Sequence, residues 1–204
     1  MKTINTYLFS DLPPEAKQTA INNNTDINTD HDWSDCIIDN YIELAALVGL
    51  DINNIYWSGF SSQGGGACFT GSYSYRKGAV KALEGFVFDD HPLIELAKQL
   101  QAIQKDYFYS LTSTIHHLGG NYYHEQSVKV ITTIGDRHGA RGLVTPTKQI
   151  GDLFRALMQH IYLELQTEYE FLTSDEQVAE SLECNELYFF SNGQLVTAKM
   201  IFVD

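Results

Sequence analysis

Between Ile55 and Gly78 the chain reads IYWSGFSSQGGGACFTGSYSYRKG, and this stretch limits the fold more than any other. After the glycines comes period-two alternation: Phe69, Gly71, Tyr73 and Tyr75 fall on one face, Thr70, Ser72 and Ser74 on the other. A strand therefore follows the glycines. A dinucleotide fingerprint needs a helix there, so that its N-terminal amides meet the phosphates, and a Walker loop needs a Gly-Lys-Ser/Thr ending that is absent. The expectation is an antiparallel hairpin joining Ile55-Tyr56-Trp57 to Phe69-Thr70-Gly71, with Gly64-Gly65-Gly66 as a flexible tip.

A second hairpin is expected around Gly119-Gly120, between residues 107–118 and 121–133. A two-residue turn there sets Tyr109 opposite Val130, Leu111 opposite Val128 and Phe108 opposite Ile131, and matches apolar with apolar. A third hairpin is read at Asn192-Gly193, joining 186–190 to 194–202. Ile4 to Ser10 reads as a short strand.

Helices are placed by three-and-four spacing. Ile37, Ile38, Tyr41, Ala45 and Val48 mark one from about 33 to 50, with Gly49 at its exit. Leu93, Leu96, Ala97, Leu100, Ile103 and Tyr107 mark another after His91-Pro92. A third runs from Thr147 to Tyr169. Asp11 is expected to cap a helix through Ala20, and Ser174 with Gln177 to open a short acidic one. About four helices interspersed with hairpins, without regular βαβ alternation, indicate an α+β fold, a sheet packed with helices in a single acidic domain over 1–204.

Thirteen Lys and Arg face 26 Asp and Glu, a net charge of −13. The acids gather toward both ends: residues 1–75 hold two bases against nine acids and residues 149–204 two against ten, while 76–148 hold nine against seven. Phosphate backbones repel such a surface, so direct nucleic-acid binding is not expected and a basic protein is the natural partner. No run approaches the roughly 20 apolar residues that cross a bilayer, and the N-terminus lacks the apolar region of a signal peptide. A cytoplasmic location in a bacterial host, with no membrane role, follows as an expectation. Cys36, Cys68 and Cys184 lie far apart with no histidine at zinc-ligand spacing, and are read as reduced core residues.

The IYWSGFSSQGGGACFTGSYSYRKG core, the FSDLPPEAK opening, LAKQLQAIQKDYFYSLTSTIHH and the final EFLTSDEQVAESLECNELYFFSNGQL together resemble a family of phage and prophage proteins. That family carries the loose label of antitoxin of a toxin–antitoxin stability system. The likeness spans most of the chain outside about 135–170, and Gly65 stands where family members commonly carry an acid. It implies a mobile-element origin and neutralisation of another protein, and assigns no residue a role.

Three functional readings remain. The first is a non-enzymatic inhibitor, of antitoxin, anti-CRISPR or other anti-defence type, that occludes a basic, nucleic-acid-handling protein without a cofactor. Its contact residues would be Trp57, Phe60, Gln63, Tyr73 and Tyr75, with Asp30, Asp32 and Asp35 supplying charge. The same acids with His31 lack the glycine and terminal glutamate of a calcium loop, so no metal is assigned. The second reading is a nucleotide- or anion-sequestering site at Arg137, His138 and Arg141, whose guanidinium forks suit phosphate. The third is a hydrolase or nuclease using His116, Glu125 or His138; no spacing in the chain forces those residues together, so no catalytic residue is assigned.

Overall fold

The strand after the glycines is present. A computed structural model describes residues 5–60, 63–135 and 144–197, and in it the glycine-rich segment joins two antiparallel strands. In chain order the elements are β1 (Tyr7–Leu8), α1 (Pro14–Asn23), α2 (Asp35–Leu47), β2 (Leu50–Ser58), β3 (Gly66–Ser74), α3 (Ala79–Leu83), α4 (Pro92–Asp106), β4 (Leu111–His117), β5 (Val128–Ile134), α5 (Thr147–Leu172), α6 (Asp175–Cys184) and β6 (Tyr188–Phe189). Strands β2-β3-β4-β5 form one antiparallel sheet in that order and β1-β6 another, so the fold is α+β. Six α-helices are found among the described residues, where about four were expected. None of the described helices is long and apolar enough to cross a membrane. Two compact units emerge, a larger one of Ser34–Gln166 and a smaller one that combines residues up to Trp33 with those from Thr167 onward.

In the larger unit, Ile55 pairs with Phe69 and Trp57 with Ala67, and a bulge interrupts the pairing between Ile52 and Asn54. The alternation on β3 sorts as the sequence pattern requires: Phe69 and Tyr73 are buried while Ser72 and Ser74 are exposed. On β4, Leu111, Ser113 and Ile115 alternate inward against exposed Thr112, Thr114 and His116. The buried face is closed by α5, whose Phe154 ring packs edge-on against Phe69 at 6.3 Å and Tyr73 at 5.7 Å. Each such fully buried ring contributes about 2–3 kcal/mol of apolar burial.

The register of β4 with β5 differs from the sequence-based expectation. Leu111 pairs with Ile134, Ile115 with Val130 and His117 with Val128, a slide of six residues from the pairing built on a two-residue Gly119-Gly120 turn. The connection is longer because residues 124–127 are occupied by a 3-10 turn. There His124 Nδ1 accepts from Gln126 N–H at 3.1 Å, and the Ser127 hydroxyl bonds back to the His124 carbonyl at 2.6 Å. Tyr107 to Ser110, expected as strand, form the turn out of α4, with Phe108 and Tyr109 at positive φ.

Helix α4 starts as Pro92 at a first-turn position dictates, and the His91 side chain caps it by accepting from Leu93 N–H at 3.3 Å. Near its end Gln104, fully buried, grips the first residue of β4: its Nε2 donates to the Leu111 carbonyl at 2.8 Å and its Oε1 accepts from Leu111 N–H at 3.1 Å. Helix α2 exits at Gly49, whose φ of +82° few other residues adopt. Short α3 was not anticipated.

The smaller unit packs α1 and α6 around Phe9, Leu12, Ala16, Ala20, Val178, Leu182 and Phe189. Asp11 is not a helix cap: it lies in a 3-10 turn, and α1 begins at Pro14 after Pro13. Ser174 does cap α6, accepting from Gln177 N–H at 3.4 Å. Asn192-Gly193 turns the chain so that Phe190 N–H reaches the Gln194 carbonyl at 2.9 Å. The partner of β6 is β1, with Tyr7 opposite Phe189; Phe189 also bridges Leu195, and residues 198–202 of the expected hairpin lie outside the described residues.

Candidate functional site

Rings crowd the tip of the first hairpin. Trp57 and Phe60 stack at 5.1 Å, Phe60 meets Tyr162 of α5 at 5.4 Å, and Tyr56 stacks on Tyr123 at 5.1 Å with His117 5.2 Å from the same ring. The Tyr162 hydroxyl donates to the Gly59 carbonyl at 3.1 Å. The glycines exist for this close approach. A Cβ on Gly65 would stand 2.2 Å from the Gly59 carbonyl oxygen and 2.8 Å from the Tyr162 hydroxyl, and one on Gly66 would stand 2.5 Å from His124 Cβ. The tip is thus packed against the protein itself rather than open around a phosphate.

The expected contact residues divide. Trp57 and Phe60 are half-buried in these stacks, and Gln63 is exposed beside them. Tyr75 is half-buried with its ring 4.5 Å from Tyr109. Tyr73 requires a correction: it is 2% exposed, so it is a core residue and no anchor for a partner. Burial pushes its hydroxyl up to about 12, against a lowering contribution from Gln104, whose Nε2 lies 3.4 Å away. Asp30 and Asp32 are exposed in the smaller unit, whereas Asp35 opens α2 in the larger one. Arg137, His138 and Arg141 lie outside the described residues. Of the three cysteines only Cys68 is buried; Cys36 and Cys184 are exposed, which corrects their reading as core residues.

Of the residues of the hydrolase reading, His138 lies outside the described residues. His116 lies opposite Lys129, not Tyr123, because of the slide in register. Glu125 accepts from Gln159 Nε2 at 3.3 Å on the 3-10 turn. Among the described residues no group of three His, Cys, Asp or Glu side chains could hold a metal ion.

A cluster that sequence spacing did not bring out lies where α2, α4 and α5 meet. Buried Tyr41 donates its hydroxyl to Glu164, and the rings of Tyr41, His91 and His160 pack within 6.1 to 6.5 Å of one another. Burial, reinforced by the Glu164 hydrogen bond and charge, drives the Tyr41 hydroxyl far above the usual tyrosine range. His91 moves below its ordinary value: burial leads, His160 adds to it, and Glu164 and Asp90 oppose it. Since Tyr41 is wholly enclosed, no substrate reaches its hydroxyl, and the arrangement is that of a structural polar junction.

Acidic residues are concentrated in the smaller unit. The smaller unit joins both acidic ends of the sequence and so holds thirteen Asp and Glu against three lysines, a net −10 of the chain's −13. Among its described residues Lys17 is the one base, its ammonium 5.5 Å above the Phe9 ring. Asp175, Glu176, Glu180, Glu183 and Glu186 are all exposed along and after α6. Large apolar groups break this surface: Tyr7, Phe171 and Tyr188 are 38%, 53% and 55% exposed. The sequence carried half of this signal, the acidic ends, but not that both ends build one unit.

Residues 33–175 match the model of a family described as a domain of unknown function (DUF8835). The match spans the whole larger unit and reaches the start of α6. No curated protein and no solved structure matches the chain.

Proposed function

The chain belongs to the DUF8835 family, whose description assigns no activity, and on that premise we propose that it is a binding protein that neutralises a basic host or element-encoded protein by covering its cationic working surface. The carrying observation is the net −10 of the smaller unit. A negative field of that density raises the encounter rate with a basic partner and repels nucleic acid that competes for the same surface. Exposed Tyr7, Phe171 and Tyr188 supply the apolar contacts that charge alone lacks, since binding energy concentrates in a few desolvated aromatic anchors. Antitoxin, anti-CRISPR and other anti-defence roles are all forms of this one mechanism, and a nucleic-acid-handling enzyme is the partner it fits best.

The test is capture of partners from phage-infected or lysogenic cells at low and high salt, followed by affinity measurement with the purified partner. A partner of high isoelectric point whose association rate falls steeply with salt supports the reading. Affinity that is flat from low to high salt, or a partner as acidic as this chain, overturns it.

A further inference from the structure

The smaller unit carries a recess of about 400 Å³ at the start of β6. Leu187, Leu195 and Val196 give it an apolar wall, and Thr6, Glu186 and Tyr188 bring a hydroxyl, a carboxylate and a phenol ring. Tyr188 pairs with Leu8 on one side, and on the other its carbonyl accepts from Val196 N–H at 2.8 Å, so backbone bonds tie the lining together. Among the described residues of that lining Glu186 is the one charged group, and there is no Lys, Arg or His. The unit around it adds a net −10.

Glu186 is held there against the preferences of its own backbone. Helix α6 ends in a left-handed turn, in which Leu187 N–H donates to the Leu182 carbonyl at 3.4 Å and Glu186 N–H to the Glu183 carbonyl at 3.0 Å. The turn puts residue 186 at a φ of +49°, where glycine or asparagine is the usual occupant. A carboxylate two residues beyond the helix also lies at the negative end of its dipole. Glycine would serve the turn better, so the glutamate, which is exposed, is explained by what it offers outward.

We propose that this recess receives an arginine side chain of the basic partner. Its methylene stem would lie along Leu187, Leu195 and Val196, and its guanidinium fork would meet the Glu186 carboxylate. The plane of the guanidinium would rest on the Tyr188 ring, which is 55% exposed. Arginine suits this lining better than lysine, because a flat, weakly hydrated cation uses an aromatic face and a carboxylate together, whereas an ammonium is a point charge. The proposal rests on the neutralisation reading, which it deepens by naming the side chain that the acidic unit holds.

The probe is the peptide acetyl-Ala-Val-Arg-Val-Ala-amide, with citrulline in place of arginine as the uncharged control. Each is titrated into the isotope-labelled full chain and followed by backbone amide shifts in NMR. The arginine peptide should move the amides of Thr6, Leu187, Tyr188 and Val196 to saturation, and the citrulline peptide should bind about tenfold or more weakly. Glu186→Gly relieves the turn, so it should melt at or above the wild-type temperature, yet it should weaken the arginine peptide by about tenfold or more. Glu186→Gln keeps the shape, loses the charge and should weaken the peptide in the same way. Equal binding of the two peptides, shifts confined to residues outside the lining, or wild-type affinity in Glu186→Gly overturns the proposal. Capture from cells separates it from the reading beneath it. If Glu186→Gly and Glu186→Gln take up a salt-sensitive basic partner with wild-type affinity, the recess is wrong and neutralisation by the acidic unit stands. If the wild-type chain captures no such partner, the neutralisation reading itself fails, even where the peptide binds.

Discussion

The imidazole Nδ1 of His91 accepts a hydrogen bond from the backbone N–H of Leu93 at 3.3 Å, so the cap of α4 is a group that titrates. Protonation turns that acceptor into a donor and puts a positive charge at the positive end of a helix. His91 sits below its ordinary value of 6.5 in the folded chain, mainly through burial and also through His160, with Glu164 and Asp90 opposing. The unfolded chain therefore binds more protons just below pH 6.5, and stability must fall as pH drops through that window. Urea midpoints at pH 5 and 7.5 should show this loss, and His91→Asn, which keeps a side-chain acceptor, should flatten it. His91→Ala should cost about 1 kcal/mol at pH 7.5.

Gln104 is the single side chain that fixes both backbone groups of Leu111, at the point where α4 hands the chain to β4. Gln104→Leu keeps the volume but leaves a buried N–H and carbonyl without partners, a cost of about 2–3 kcal/mol. Chemical denaturation should report that loss with an unchanged slope against denaturant.

At the hairpin tip, Gly66→Ala should destabilise by about 1–3 kcal/mol, because the new methyl meets His124 Cβ at 2.5 Å and overpacks. Gly85→Ala is the control: its methyl would find no atom nearer than 3.7 Å, so the thermal midpoint should be little changed. Equal effects would mean that the tip is not packed as described.

Tyr73 and Tyr188 separate core from contact. Tyr73→Ala should cost about 3–5 kcal/mol, as expected for a buried ring whose removal leaves a cavity beside Phe154. Tyr188→Ala, at a residue 55% exposed, should shift stability by less than about 0.5 kcal/mol. The same variant should weaken capture of the partner, as seen in its dissociation rate.

Sequence pattern reached the elements better than their pairing, and β4 with β5 shows why. A slide of six residues is even, so Leu111, Ser113 and Ile115 keep the same face in both registers and the alternation has no power to choose between them. What decided was a 3-10 turn held by His124 and Ser127, local chemistry that periodicity does not carry. The first hairpin was legible because its alternation and its glycines agree. Tyr73 was misread as a contact because an inward and an outward tyrosine are the same letter until the sheet's covered face is known. The meeting of Tyr41, His91, His160 and Glu164 depends on three helices far apart in the chain, and no local signal encodes it.

The smaller unit is assembled from two stretches that flank the whole larger unit in the chain. Its N-terminal half, Phe9 to Ile21, cannot complete its core until Val178, Leu182 and Phe189 have been synthesised. On the ribosome the larger unit can close first, while the acidic surface is the last thing to exist. A chain cut short after Gln166 and before Asp175 would keep the whole larger unit and lose the acids of α6 together with Val178, Leu182 and Phe189 of the smaller core.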